Sequence, residues 1–435
     1  MKKLMISSVL GAAALFGLAG CGGGGGGEAA PVGSSTGVLT DGPVGGIQYS
    51  TSSGVTGTTD AQGRFQYNPN DTVTFRIGQL TLGSVTATGS STTITPLQIA
   101  AAANELTDDQ RQTLVTNLLV LLQSLDSDGN PDNGLSIPAA AGTALTSQAA
   151  AQIVLTADPA TFAANSTLSS LSTAAGGEVV SPEQALAHFK AQFYKDLAGY
   201  HLIQFSDDEL IAFRFDDQGN YLMGEFGEED DSGWPGIERG SINWNPQTGE
   251  ISADAGLDTN GEWGLSHIQG SERIYLSLND GNLNVRVVDL ETEPAAEEQL
   301  PFTRVANGTG LSGAWALDRG ENSARSLDVQ QFLFIADGRY LMLDPVGDDE
   351  VGEGEEPCGG PGLEYGSYSF NAGDFATSAI RVDTNDCAGL HDTEDDSYAS
   401  FSDVEINATT GTATIPEGEG EIVLLRPNYQ ALNLQ

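Results

Sequence analysis

Two stretches of the chain pair a carboxylate with an imidazole at matching spacing. Asp258-Thr259-Asn260 is followed by His267, and Asp383-Thr384-Asn385 by His391. Such pairs suit a metal or acid–base site, or one wall of a ligand site. The same triplet also makes a good turn, because Asp and Asn bond their own backbone and accept left-handed conformations, and the turn is the preferred reading. A second oxygen-rich stretch is Asp126-Ser127-Asp128-Gly129-Asn130-Pro131-Asp132. Asp126, Asp128, Asn130 and Asp132 put side-chain oxygens at alternate positions after a helical run, as Ca²⁺ requires. Against calcium, Pro131 stands where an EF-hand loop needs Gly, and Ile137 where it needs Glu. Calcium is the one cofactor the sequence suggests, and an acidic helix-ending turn is the alternative. Cys358 and Cys387, the two cysteines far from the N-terminus, are expected to pair as a disulfide in an exported protein. Trp244 and Trp315 could line a ligand cavity, although aromatics at strand spacing more often fill a core.

Other chemistries find little material. The chain has 435 residues, 60 acidic against 17 basic, and a net charge of −43, which excludes a nucleic-acid binder. It has four His and three Cys, too few for a multi-Cys metal cluster. No P-loop, H-E-x-x-H or Ser-His-Asp arrangement occurs. Gly33-Ser34-Ser35-Thr36-Gly37 matches a nucleophile elbow only by chance, since it follows a Gly-rich stretch and precedes a strand pattern. A carboxylate-dependent hydrolase is a remote alternative.

The elements that would carry these residues are mainly strands. Phe213–Met223 returns as Phe332–Met342, Ile237–Asn245 as Leu363–Asn371, and the Asp-Thr-Asn blocks return in the same order. The second half is therefore a duplication. Each copy shows about eight short strands joined by hairpin turns, so an antiparallel meander able to close as an up-and-down barrel is expected. Before it, residues 96–196 read as helical. Thr95-Pro96 and Thr107-Asp108-Asp109 mark helix starts, Ala139–Leu155 suggests further helix, and Ser181-Pro182-Glu183 opens a helix bearing Leu186, Phe189, Phe193 and Leu197.

Residues 1–21 combine Lys2 and Lys3, an apolar run too short to span a bilayer, and Leu18-Ala19-Gly20-Cys21. This resembles the lipobox of bacterial lipoproteins. The resemblance implies removal of residues 1–20, acylation of Cys21, and anchoring to the outer membrane through acyl chains, with residues 21–36 as a flexible tether. The run Asp41-Gly42-Pro43-Val44-Gly45-Gly46-Ile47 with Thr59-Asp60-Ala61-Gln62-Gly63-Arg64-Phe65 resembles the carboxypeptidase-regulatory, transthyretin-like β-sandwich, implying a non-catalytic module over 37–95. Gly313-Ala314-Trp315 with a last strand reaching Arg426 is similar to the lipocalin-like (calycin) arrangement, where an Arg from the last strand covers a Trp on the first. The first copy ends in Arg304 but has His201 where Trp315 stands.

The expected protein is thus mainly β: a small sandwich, helices, then two tandem meanders over 197–306 and 311–430. The expected function is a non-catalytic cell-envelope protein, binding or surface-interacting in an adhesin- or scaffold-like way, with an envelope protein as partner. The alternative is a carrier of a small apolar ligand. Residues 181–435 hold 48 acidic and 12 basic residues, with no Lys after Lys195. That is the surface habit of proteins in salty surroundings and says little about a site.

Overall fold

The computed structural model describes residues 32–427 apart from 269, 293, 309, 321, 348–358 and 419. The leader, Cys21 and the glycine run lie outside the described residues. So does Cys358, and with it the expected bond to Cys387. The chain divides into two units after Pro182.

The first unit opens with eight short strands: β1 (Ser35–Leu39), β2 (Val44–Gly45), β3 (Gln48–Thr51), β4 (Thr56–Thr58), β5 (Arg64–Tyr67), β6 (Asp71–Ile77), β7 (Leu80–Ala87) and β8 (Ser91–Ile94). They form sheets of order β5-β1-β8 and β4-β3-β6-β7. Alternation along β6 buries Val73, Phe75 and Ile77. Phe65 joins the two sheets, meeting Phe75 edge-on at 5.2 Å and Tyr49 at 5.7 Å. Helices α1 (Pro96–Ala101) and α2 (Asp108–Ser124) each start with a capping box, Thr95 with Gln98 and Thr107 with Gln110. A short β9 (Leu135–Ser136) runs parallel to β2. The Ala-rich stretch expected as one helix breaks into α3 (Ala139–Ala144) and α4 (Ser147–Ala150), because Thr146 caps a new start. Two further helices, α5 (Pro159–Ala163) and α6 (Ser166–Ala175), complete the unit.

The second unit begins with α7 (Pro182–Leu197) and contains both repeats. The first copy comprises β10 (Gly199–Ser206), β11 (Glu209–Phe215), β12 (Asn220–Phe226), β13 (Gly236–Trp244), β14 (Glu250–Asp258), β15 (Glu272–Asn279), β16 (Asn282–Asp289), β17 (Ala296–Pro301) and β18 (Thr303–Arg304). Consecutive strands pair antiparallel from β10 to β17, and β18 pairs back onto β10. Since β17 and β18 flank only Phe302, the last strand meets both ends of the meander and the sheet curls into a nearly closed barrel.

The second copy comprises β19 (Gly313–Leu317), β20 (Gln331–Phe334), β21 (Arg339–Asp344), β22 (Gly362–Asn371), β23 (Asp374–Asp383), β24 (His391–Asp392), β25 (Ser397–Tyr398), β26 (Ser400–Phe401), β27 (Glu405–Asn407), β28 (Thr412–Glu417) and β29 (Gly420–Leu425). It curls in the same way, with β19 paired to β29 and a small β24–β25 hairpin set aside from the main sheet. The same irregularity follows the same residue in both copies, between Arg239 and Gly240 and between Tyr365 and Ser367.

The feature likened to calycins is present. The Arg426 guanidinium lies 3.7 Å from the Trp315 ring centroid, and Trp315 Nε1 donates to Leu311 O. The first copy has His201 in place of this Trp and keeps the matching hydrogen bonds to backbone. His201 Nε2 bonds Leu197 O at the equivalent four-residue separation, while Arg304 donates to Asp196 O and Ala198 O as Arg426 does to Gly310 O and Ser312 O. Burial pushes His201 down to about 4, so the ring is neutral.

Alternate residues of the strands serve two cores. One set points into each barrel. The other set, including Leu222, Phe226, Ile237, Leu341, Leu363 and Tyr365, forms a shared core joining the two barrels. Phe226 and Tyr365 meet there with ring centroids 4.7 Å apart.

Candidate functional site

Both copies build the same polar cluster from the strand carrying the repeated Glu. Tyr221 on β12 donates its hydroxyl to Glu238 on β13, and Tyr340 on β21 does the same to Glu364 on β22. Neither Glu side chain has exposed surface. Each then receives backbone amides from the loop after the Asp-Thr-Asn turn. Leu265 N donates to Glu238 Oε1 at 2.9 Å and Ser266 N at 3.1 Å; Leu390 N donates to Glu364 Oε2 at 2.7 Å. A Cβ on Gly264 or Gly389 would collide with that carboxylate, which is the reason for the repeated Gly-Leu step.

The Asp-Thr-Asn blocks are turns and cluster members at once. Asp258 and Asp383 each accept from the Asn two residues on. The hydroxyls of Thr259 and Thr384 each accept, at 2.9 Å, the amide of the residue before the buried Glu. The expected pairs form: His267 Nδ1 lies 3.4 Å from Asp258 Oδ2, and His391 Nδ1 lies 2.9 Å from Asp383 Oδ2. Glu238, Glu364, Tyr221 and Tyr340 complete both clusters; the two Glu were not singled out from the sequence, and the two Tyr only as aromatics able to line a cavity. Their signal was a carboxylate and a phenol at fixed places in strands otherwise apolar, repeated in both copies.

The two clusters differ in exposure. His267 is a third exposed and faces two carboxylates, the second being Glu238 Oε2 at 3.9 Å. His391 is buried and has both nitrogens engaged, with Asp396 3.4 Å from Nε2. Burial alone would lower His391, but Asp383 and Asp396 outweigh it and its pKa is raised. Burial pushes Glu364 up to about 7.

The barrel interiors also differ. In the first, α7 packs Phe193 flat on Trp244 at 3.9 Å and Phe189 edge-on at 5.4 Å, while Tyr194 donates to Ile242 O at 2.9 Å. Trp244 is therefore closed into a core, with Nε1 donating to Leu276 O. No counterpart of α7 precedes the second barrel among the described residues. That barrel holds a partly open pocket of about 220 Å³. Phe332, Phe334, Met342, Phe375 and Leu424 supply apolar walls, and Ala388-Gly389-Leu390, the loop held by Glu364, supplies one side. Gln330 and Glu417 are its polar lining, and the Gln330 Oε1 is buried without a protein partner among the described residues. Trp315 belongs to the surrounding core and does not line this space.

The Asp126 loop folds largely on itself. Asp126 is buried and accepts from Ser136 N at 2.8 Å, leaving Oδ2 buried without a donor. Burial most of all, aided by Asp128, raises its pKa. Asp128 accepts from Asn130 N and Asn133 Nδ2, each at 3.0 Å, and Asp132 is exposed within a 3-10 turn. Comparison of the chain with family models, curated proteins and solved structures finds no match.

Proposed function

We propose that the protein is a non-catalytic binding protein of the cell envelope whose second barrel holds a small apolar molecule. The observation that carries this reading is the pocket of about 220 Å³ inside the second barrel, walled by Phe332, Phe334, Met342, Phe375 and Leu424. Apolar walls with one or two placed polar groups are the usual make-up of a small-molecule site. An apolar cavity of about 150 Å³ takes up benzene, so this one suits a substituted single ring or a short branched chain.

Calorimetric titration with 4-ethylphenol and ethylbenzene tests this. Each should bind at one site per chain. Val404→Phe, which fills the cavity, should abolish binding of both. No saturable binding, or binding unchanged by Val404→Phe, refutes the reading.

Attachment through an acylated Cys21 belongs to the same proposal and rests on the lipobox resemblance. Radiolabelled palmitate should enter the wild-type chain and not Cys21→Ser; equal labelling of both contradicts it. A surface-interaction role is the second reading. It is favoured by an open groove of about 660 Å³ between the two repeats, where Trp234, 47% exposed, sits near Glu229 and Arg381.

A further inference from the structure

We infer that Glu238, Asp258 and His267 of the first repeat form a binding site for a divalent transition metal ion of the zinc type. The donor atoms of the three side chains all lie within 4.8 Å of one another. A tetrahedral zinc ion with bonds near 2.0–2.1 Å separates its ligand atoms by about 3.3 Å. His267 Nδ1 already stands 3.4 Å from Asp258 Oδ2 and 3.9 Å from Glu238 Oε2, close to that spacing. One imidazole with two carboxylates suits zinc or its neighbours better than calcium, which takes oxygen alone.

Two further observations distinguish this set from an ordinary acidic cluster. Glu238 is fully buried yet held in place by Tyr221 and by the Leu265 and Ser266 amides, the kind of outer support that orients a metal ligand. Finally, the site has an open side, because Asp258 and His267 are 25% and 33% exposed. The second repeat supplies an internal contrast: His391 is closed between Asp383 and Asp396 and has no such access.

The test is calorimetric titration of the full chain with Zn²⁺, in high NaCl with excess Mg²⁺ to occupy loose surface carboxylates. The expected result is one saturable site per chain, lost in His267→Ala and kept in His391→Ala. Tyr221→Phe should weaken it roughly ten-fold, the usual effect of removing an outer-shell partner. Since His267 is partly exposed, its replacement spares the fold, which circular dichroism checks. Co²⁺ should give the visible absorption of a four-coordinate ion in the wild type and not in His267→Ala. No saturable site, or a site unaffected by His267→Ala, overturns the inference.

Discussion

Glu364 has no exposed surface, and burial pushes its carboxyl up to about 7 from the ordinary 4.5. The folded chain therefore keeps a proton that the unfolded chain releases between pH 4.5 and 7, and stability falls as pH rises through that window. At 1.36 kcal/mol per pKa unit the fall is on the order of 3 kcal/mol. His391 acts in the same sense. Its raised pKa stabilises the fold fully below 6.5, and that contribution disappears as pH rises through the folded value. The urea midpoint should drop from pH 4.5 to 8, and Glu364→Gln should flatten the first part of the drop. An unchanged slope in Glu364→Gln would show that the carboxyl does not titrate in this window. Tyr340→Phe removes the phenol that binds Glu364 and should cost about 1.5–3 kcal/mol at pH 8, read from the same urea curves.

Between residues and barrels, the decisive element is α7. Its face of Phe189, Phe193 and Leu197 was legible from helical spacing, and the structure buries all three. Its docking onto Trp244 was not, because a helical stripe says that a face is covered without saying by what. Phe193→Ala should cost about 3–5 kcal/mol by thermal unfolding and shift Trp emission to the red. Strand patterns were legible in the same partial way. Turn residues and alternation predict about eight strands per copy; among the described residues the first copy has nine segments, its last strand bent at Phe302, and the second has eleven. The runs Tyr221-Leu222-Met223 and Tyr340-Leu341-Met342-Leu343 are apolar without alternation, which is how strands covered on both faces read. That signal marked the shared core between the barrels, but pairing two distant faces needs three-dimensional register. Asp258 with His267 and Asp383 with His391 were found from their repetition. Glu238 and Glu364 were hidden in strands, where a single acid looks like a solvent-facing position. At the Asp126 loop, added Ca²⁺ should raise the melting temperature through the donorless Asp126 Oδ2, and Asp126→Ala with Asp128→Ala should remove the rise. No shift in the wild type would leave the loop as a turn alone.

At the scale of the whole molecule, the net charge of −43 is concentrated in the half that carries both barrels. Self-repulsion on that scale is screened by salt, so the melting temperature should rise between low and molar NaCl, and a flat response would contradict the view of an acidic solvated surface. The duplication has also diverged: one barrel is closed over by a helix and carries an open cluster of donors, and the other closes its cluster and keeps an apolar chamber. Anomalous diffraction from a xenon-pressurised crystal tests that division most directly, since xenon enters dry apolar cavities. The expected result is one xenon site among Phe332, Phe375 and Leu424 in the second barrel and none around Trp244 in the first. A second barrel without xenon, filled by ordered water or collapsed side chains, would contradict the account.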